Sequence, residues 1–241
     1  MDVIEAGGLG KRYGRKWALR DCTLSVPAGF VTGLVGPNGA GKTTLISLAV
    51  GLIRPTAGTV RVAGERAGSR AARDLVAFVA QDAPLYQHLS VRDMLHVSRN
   101  LNVRWDHQRA LSRLNGLDIP LKQRVGKLSG GQRAQLALTV ALARRPELLV
   151  LDEPLAALDP LARADFMQSV RDAVAGDGIS AVFSTHVVAE LSQVAGHLIV
   201  LGRGEVLLSG PADHLTAAAG GAPLEQVILS RLRESTREVA A

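Results

Sequence analysis

The 241-residue chain has a single cysteine, Cys22, few aromatics (3%) and no apolar run close to the length of a membrane span. Each shortage excludes something. A lone cysteine rules out an internal disulfide and a cysteine-based zinc cluster, and it fits a reducing compartment. A spanning helix needs roughly 18 to 20 apolar residues, and stretches such as Leu148 to Leu151 or Leu198 to Leu201 are far shorter. The start, Met1-Asp2-Val3-Ile4-Glu5, lacks the basic region and apolar core of a secretory signal. With aromatics scarce, Leu, Val and Ala must fill the core that a 47% hydrophobic content allows. A formal charge of +6 and a pI near 10.1 would suit nucleic acid or an anionic membrane surface. Yet the basic residues are mostly arginines spread along the chain, with no five together, so no direct nucleic-acid partner is expected.

What is present alternates strand and helix signals. Val3 to Ala6, Ala18 to Val26 and Phe30 to Val35 read as strands, with Pro27-Ala28-Gly29 as a turn. Lys42 to Val50 reads as a helix stopped by Gly51, Thr59 to Ala63 as a strand, and Leu75 to Ala80 as a strand ending at Gln81. From Asp82 to Lys127 the spacing turns helical without strand candidates, which suggests an inserted helical unit. A helix over Gly130 to Ala143 precedes a buried strand at Leu148 to Leu151. A helix at Leu161 to Val174, a strand at Ile179 to Ser184 and a hairpin around Gly202-Arg203-Gly204 follow. The expected architecture is an α/β fold, with a mostly parallel sheet flanked by helices, an N-terminal antiparallel β subdomain and the helical insertion. The expected division is residues 1–210 as one domain, with 82–127 inserted, and 211–241 as a short helical tail. Leu224, Val227, Ile228 and Leu232 give that tail an apolar face, for packing or for a dimer or regulatory contact.

Three segments carry chemistry. Gly36-Pro37-Asn38-Gly39-Ala40-Gly41-Lys42-Thr43, followed by Thr44, is a phosphate-binding P-loop after a strand and before a helix. Its glycines let backbone N–H groups curl around phosphate oxygens, and the helix N-terminus faces the same charge. Lys42 would reach the β- and γ-phosphates and the Thr43 hydroxyl would complete a Mg²⁺ shell. Asp152 ends an apolar strand, where a carboxylate is costly without a cation, so it is a further metal candidate. Glu153 beside it can polarise an attacking water. Leu128-Ser129-Gly130-Gly131-Gln132 can start a helix whose first N–H groups donate to a phosphate, with Ser129 as cap and the glycines permitting close approach.

With these segments in order, the chain resembles the ATP-binding-cassette ATPases over roughly Val3 to Ser209. The wording of Lys11-Arg-Tyr-Gly14 and of the P-loop is similar to the multidrug or antibiotic-efflux branch. The resemblance implies roles at the matching positions. Tyr13 would stack on adenine, and Gln81 would touch Mg²⁺ and the attacking water. Leu128 to Gln132 would clamp a γ-phosphate held by the opposite subunit. Asp159 would sit at the dimer interface, and His186 would contact the γ-phosphate. It also implies ATP and Mg²⁺ as cofactors, a second ATPase subunit packed head to tail, and a separate transmembrane permease. The protein would then lie at the cytoplasmic face of the membrane, peripheral through that permease, with Asp82 to Leu85 as candidate contacts. Two departures stand out: Gln135 where many members carry Arg, and Leu155-Ala156-Ala157 where a Thr-Ser-Gly type is common.

Non-transport cassette proteins of translation or DNA repair are the competing class. Translation-factor types usually carry two cassettes, and repair types insert a long coiled coil between P-loop and signature. Here one cassette is present and only 86 residues separate Lys42 from Ser129. An importer subunit would differ mainly in its partner. The permease would make the pathway for the transported molecule, and either a homodimer or a heterodimer fits these residues.

Overall fold

Side-chain alternation dictates the layering. In Leu148–Asp152 both the even and the odd positions are apolar, so the strand needs cover on both faces. In the computed structural model, which describes residues 1–81, 85–190 and 195–237, that cover is built as follows. The chain opens with strands β1 (Asp2–Tyr13), β2 (Lys16–Pro27) and β3 (Val31–Val35), then helix α1 (Lys42–Ala49). Strands β4 (Ala57–Val62) and β5 (Glu65–Arg66), helix α2 (Arg70–Leu75) and strand β6 (Val76–Val79) come next. Helices α3 (Val91–Leu101), α4 (His107–Gly116) and α5 (Gly130–Ala143) precede strand β7 (Leu148–Asp152). Helix α6 (Pro160–Asp177), strands β8 (Ser180–Thr185), β9 (His197–Gly202) and β10 (Glu205–Pro211), and helices α7 (Ala212–Ala218) and α8 (Leu224–Arg237) complete it.

Strands β10-β9-β3-β8-β7-β6 form a six-stranded sheet, parallel except for β10, and β2-β1-β4-β5 form an antiparallel one. Leu149, Leu151, Ala181, Phe183 and Val200 face α5, α6 and the tail helix α8, in one core. Leu148, Val150, Val182, Ile199 and Leu201 face α1 and the antiparallel sheet, in a second core. A third core lies among α3, α4 and one side of α5, with Val91, Leu95, Leu114 and Leu136 fully buried. Helix α5 is therefore shared. Leu138 and Leu142 belong to the sheet core, while Leu136 and Ala143 belong to the helical one. Leu224 and Ile228 of α8 join the sheet core, which supports the packing role for the tail.

Two local expectations are corrected. The first strand does not stop at Ala6. Gly7, Gly8 and Gly10 look like a break, but β1 absorbs them as irregularities in its pairing with β2 and runs on to Tyr13. Leu75 closes a helix instead of opening a strand, because Ser69 caps α2 by accepting from the Ala72 N–H at 3.0 Å. At six residues, α2 is too short to show a periodicity. The Ala/Gly-rich start of the tail contains α7. Of the candidate permease contacts, only Leu85 lies within the described residues, and it is partly buried against the sheet and helical cores.

Phe183 is fully buried at the centre of β8. Phe183→Ala should cost about 3–5 kcal/mol. A denaturant titration would read this as a lower midpoint with an unchanged slope.

Candidate functional site

Sheet register brings the distant motifs together. Val35 pairs with Thr185, and Asp152 pairs with Ser184. The next residues in each strand, Gly36, Glu153 and His186, therefore leave the sheet side by side at its carboxyl edge. Gly36 must lack a side chain, because a Cβ there would meet the Leu201 carbonyl oxygen at 2.3 Å. Gly41, at φ 104°, lies against Ala18, whose carbonyl oxygen would stand 2.7 Å from an added Cβ. These two positions seat the loop between β9 and β2, and the other loop residues follow from them.

Lys42 is almost fully buried at 5% exposure, so its ammonium needs partners. It donates to the Gly36 carbonyl at 2.7 Å and the Pro37 carbonyl at 3.4 Å. Its Nζ also lies 3.5 Å from Glu153 Oε1. The other carboxylate oxygen, Glu153 Oε2, lies 3.2 Å from His186 Nδ1. Lys42, Glu153 and His186 thus form a chain of contacts at the sheet edge. Glu153 holds a left-handed backbone, φ 46°, and its N–H donates to Ser184 Oγ at 2.9 Å. Ser184 Oγ in turn donates to Asp152 Oδ1 at 2.6 Å. One buried hydroxyl thereby orients both acidic residues. Ser184 was not among the candidate residues, although its place between Phe183 and Thr185-His186 is the signal that finds it.

A cavity of about 770 Å³ opens over this edge. Tyr13, Asn38, Gly39, Gly41, Lys42, Thr43, Thr44, Gln81 and Glu153 line it, together with Lys16, Trp17, Ala18 and Arg203. Trp17 lies near the start of β2, one residue before the strand expected from Ala18. It stands under the Arg12 guanidinium at 5.5 Å, as Tyr13 does under the Lys11 ammonium at 5.3 Å. Two exposed aromatics, not one, are therefore available to a planar base. Gly36, Pro37 and Ala40 are part of the loop but do not line the cavity. Asp152 lies buried below it, and His186 borders a smaller space of about 80 Å³ behind Glu153.

The second glycine motif lies elsewhere. None of residues 128–132 lines the large cavity. Ser129 Oγ accepts the Gln132 N–H, and Gln132 Oε1 accepts the Ser129 N–H, both at 3.1 Å, so the pair caps α5 reciprocally. Gly130 is exposed, and a Cβ on Gly131 would stand 3.0 Å from that of Ala162 at the start of α6. The second glycine thus serves helix packing as well as access. Asp159 caps α6 by accepting the Ala162 N–H at 2.9 Å.

As to a metal, Thr43 and Gln81 offer neutral oxygens and Asp152 a carboxylate. This hard but sparse donor set suits Mg²⁺ completed by phosphate and water, rather than a protein-only cage. Among the described residues no cluster of three His, Cys, Asp or Glu could hold a metal.

Fold and site define a P-loop nucleotide-binding domain of the α/β class. Comparison with known proteins narrows this. Residues 19–156, more than half of the chain, match the ABC transporter family model. The daunorubicin resistance ATP-binding protein DrrA3 of Streptomyces coeruleorubidus is 38% identical over 94% of this chain and 73% of its own length. The phosphonates import ATP-binding protein PhnC 1 of Rhodopseudomonas palustris is 36% identical over 89% and 84%. A solved ATP-binding subunit of an ABC transporter superposes with a TM-score of 0.85 at 25% identity, covering 95% of this chain and 99% of that one. The chain belongs to the ABC transporter family and is an ATP-binding, ATP-hydrolysing subunit of it.

Glu153→Gln keeps the size of the side chain but removes its basicity. It should leave nucleotide binding intact and reduce ATP hydrolysis by about 10² to 10⁴-fold. Steady-state turnover beside equilibrium binding of a fluorescent ATP analogue would check this, and near-normal turnover would remove Glu153 as general base.

Proposed function

We propose that the chain is the ATPase subunit of a membrane exporter, and that two cassettes pack head to tail around two ATP molecules with Mg²⁺. The observation that carries this reading is the separation of the glycine motifs. The P-loop lines the nucleotide cavity, whereas Ser129 to Gln132 form the N-terminus of a helix away from it, with Ser129 and Gly130 exposed. A helix N-terminus so placed suits a phosphate held by another copy.

In this reading residues 36–44 cradle the phosphates, with Tyr13 and Trp17 against the base. Lys42 offsets charge on the β- and γ-phosphates. Glu153 accepts the proton of the attacking water, with His186 and Gln81 aligning water and γ-phosphate. Mg²⁺, when bound through Thr43, Gln81 and Asp152, would neutralise phosphate charge. Ser129, Gly130, Gly131 and Gln132 of one copy complete the site of the other, and Asp159 lies at their seam. Catalysis is then positioning and charge stabilisation, since phosphoryl transfer requires little covalent help. Residues 1–210 act as the ATPase domain, with 82–127 as its helical insertion facing a transmembrane permease, and 211–241 as a packing tail. Among the described residues no helix is long and apolar enough to cross a membrane. In this reading the permease is a separate partner. It would hold the chain peripherally at the cytoplasmic face.

Similarity to the daunorubicin resistance protein favours export. The phosphonate relative supports import as the second reading. A multispanning protein that co-purifies with the chain, reconstituted and assayed for ATP-dependent flux, decides between them; its absence would favour a non-transport role. The composite site has its own check. Ser129→Arg and Lys42→Ala chains, each inactive alone, should regain one working site, and up to about a quarter of wild-type turnover, when mixed. No recovery, or loss of nucleotide binding by the Ser129→Arg chain alone, would rule out a shared site.

A further inference from the structure

Helix α5 carries the exposed Ser129 to Gln132 motif, and its second and third turns hold a polar network inside otherwise apolar packing. Arg113 of α4 donates through Nε to Thr139 Oγ1 at 3.1 Å and through Nη2 to Gln135 Oε1 at 2.7 Å. Gln135 Nε2 donates onward to Ser169 Oγ of α6 at 3.3 Å. Thr139 Oγ1 also donates to the Gln135 carbonyl at 2.7 Å, which keeps that hydroxyl facing the guanidinium. Gln135, Thr139 and Ser169 are buried at 6%, 1% and 9% exposure.

An arginine in such surroundings is costly. Burial lowers its affinity for the proton, the neighbouring Arg109 adds to that, and Asp172 and Asp177 of α6 act the other way. Its two hydrogen bonds go to neutral side chains, where leucine or methionine would have packed without that cost. What a guanidinium adds is direction. Its planar fork fixes two acceptors at once, which an apolar side chain cannot do. One turn earlier on α4, Arg109 forms an ion pair with Asp177 at the end of α6. Helix α4 is thus tied by one arginine to α5, and through Gln135 to α6, and by the other directly to α6.

These two tied helices begin at the two motifs assigned to the seam. Helix α5 starts from Ser129, and α6 starts from Asp159. We propose that Arg113 is a positioning residue for ATP hydrolysis: through Gln135 and Ser169 it sets the angle at which Ser129 to Gln132 are presented to the nucleotide on a second copy. The inference rests on the head-to-tail reading. It also gives Gln135 a role, as the acceptor that receives a guanidinium arriving from α4 where many family members place an arginine on α5 itself.

The test exchanges the two partners in the full-length chain. Arg113→Gln should lower the kcat of ATP hydrolysis tenfold or more, as expected for a small misplacement of a catalytic donor set. The affinity for a fluorescent ATP analogue, which the chain's own P-loop cavity supplies, should stay within about twofold. Gln135→Arg crowds two guanidiniums together and should lower kcat similarly. The double variant Arg113→Gln with Gln135→Arg restores one guanidinium to the same pocket and should recover kcat to within about threefold of wild type. If Arg113→Gln does not fold, Gln135→Arg against the double variant reads the same coupling. Unchanged kcat in the single variants, or a double variant no better than either, would overturn the proposal. Ser129→Arg measured alongside separates the two levels. Normal turnover there would sink the shared-site reading itself, whereas its loss beside a silent Arg113→Gln would sink only the role of Arg113.

Discussion

The pairing of β3, β8 and β7 is the constraint on which the site depends. Each strand contributes little alone, since a P-loop without a neighbour is a glycine-rich turn and an Asp-Glu pair without a neighbour is a strand end. Pairing Val35 with Thr185 and Asp152 with Ser184 turns them into one edge. A slip of one residue would send Leu149, Leu151 and Phe183 to the wrong face and misplace Glu153 relative to Lys42. The same apolar alternation that holds the sheet together therefore sets distances of 3.5 and 3.2 Å between polar side chains that are more than thirty residues apart in the chain.

Helix α5 transmits that order outward. One side is packed into the sheet core and another into the helical core, so its exposed N-terminus is held from two directions. Apolar contacts fix how deep such a helix lies but leave rotation and tilt comparatively soft, because dispersion is weakly directional. The Arg113–Gln135–Ser169 hydrogen bonds supply direction where packing does not. Glu153 shows the same division of labour at the sheet edge. The strand brings it to the edge, while Ser184 and a left-handed backbone aim it.

Much of this was legible in the residues. The parallel sheet, the helical insertion, the P-loop with Lys42 and the cap at Ser129 all follow from local patterns whose physics acts within a few positions. The misses were those where local pattern and tertiary pairing disagree. The glycines of β1 look like a turn, yet pairing with β2 keeps them in a strand and brings Trp17 into the cavity beside Tyr13. Helix α2, at six residues, is shorter than the window over which a helical period can be read. Ser184 and Arg203 are ordinary residues in the sequence and gain their places only from what lies across from them.

By itself, then, the sequence determined most of the element types, the phosphate-binding chemistry and the family. These rest on spacing along the chain, through turn-forming glycines, caps and hydrophobic period. Only the tertiary structure decided which side chains meet. Contacts such as Lys42 with Glu153, Ser184 with Asp152 and Arg113 with Gln135 join residues 22 to 111 positions apart. Such pairs leave no periodic signal, since what joins them is burial. Once the layers close, a polar group left without a partner is costly, and for these side chains the partner lies on another element of the fold.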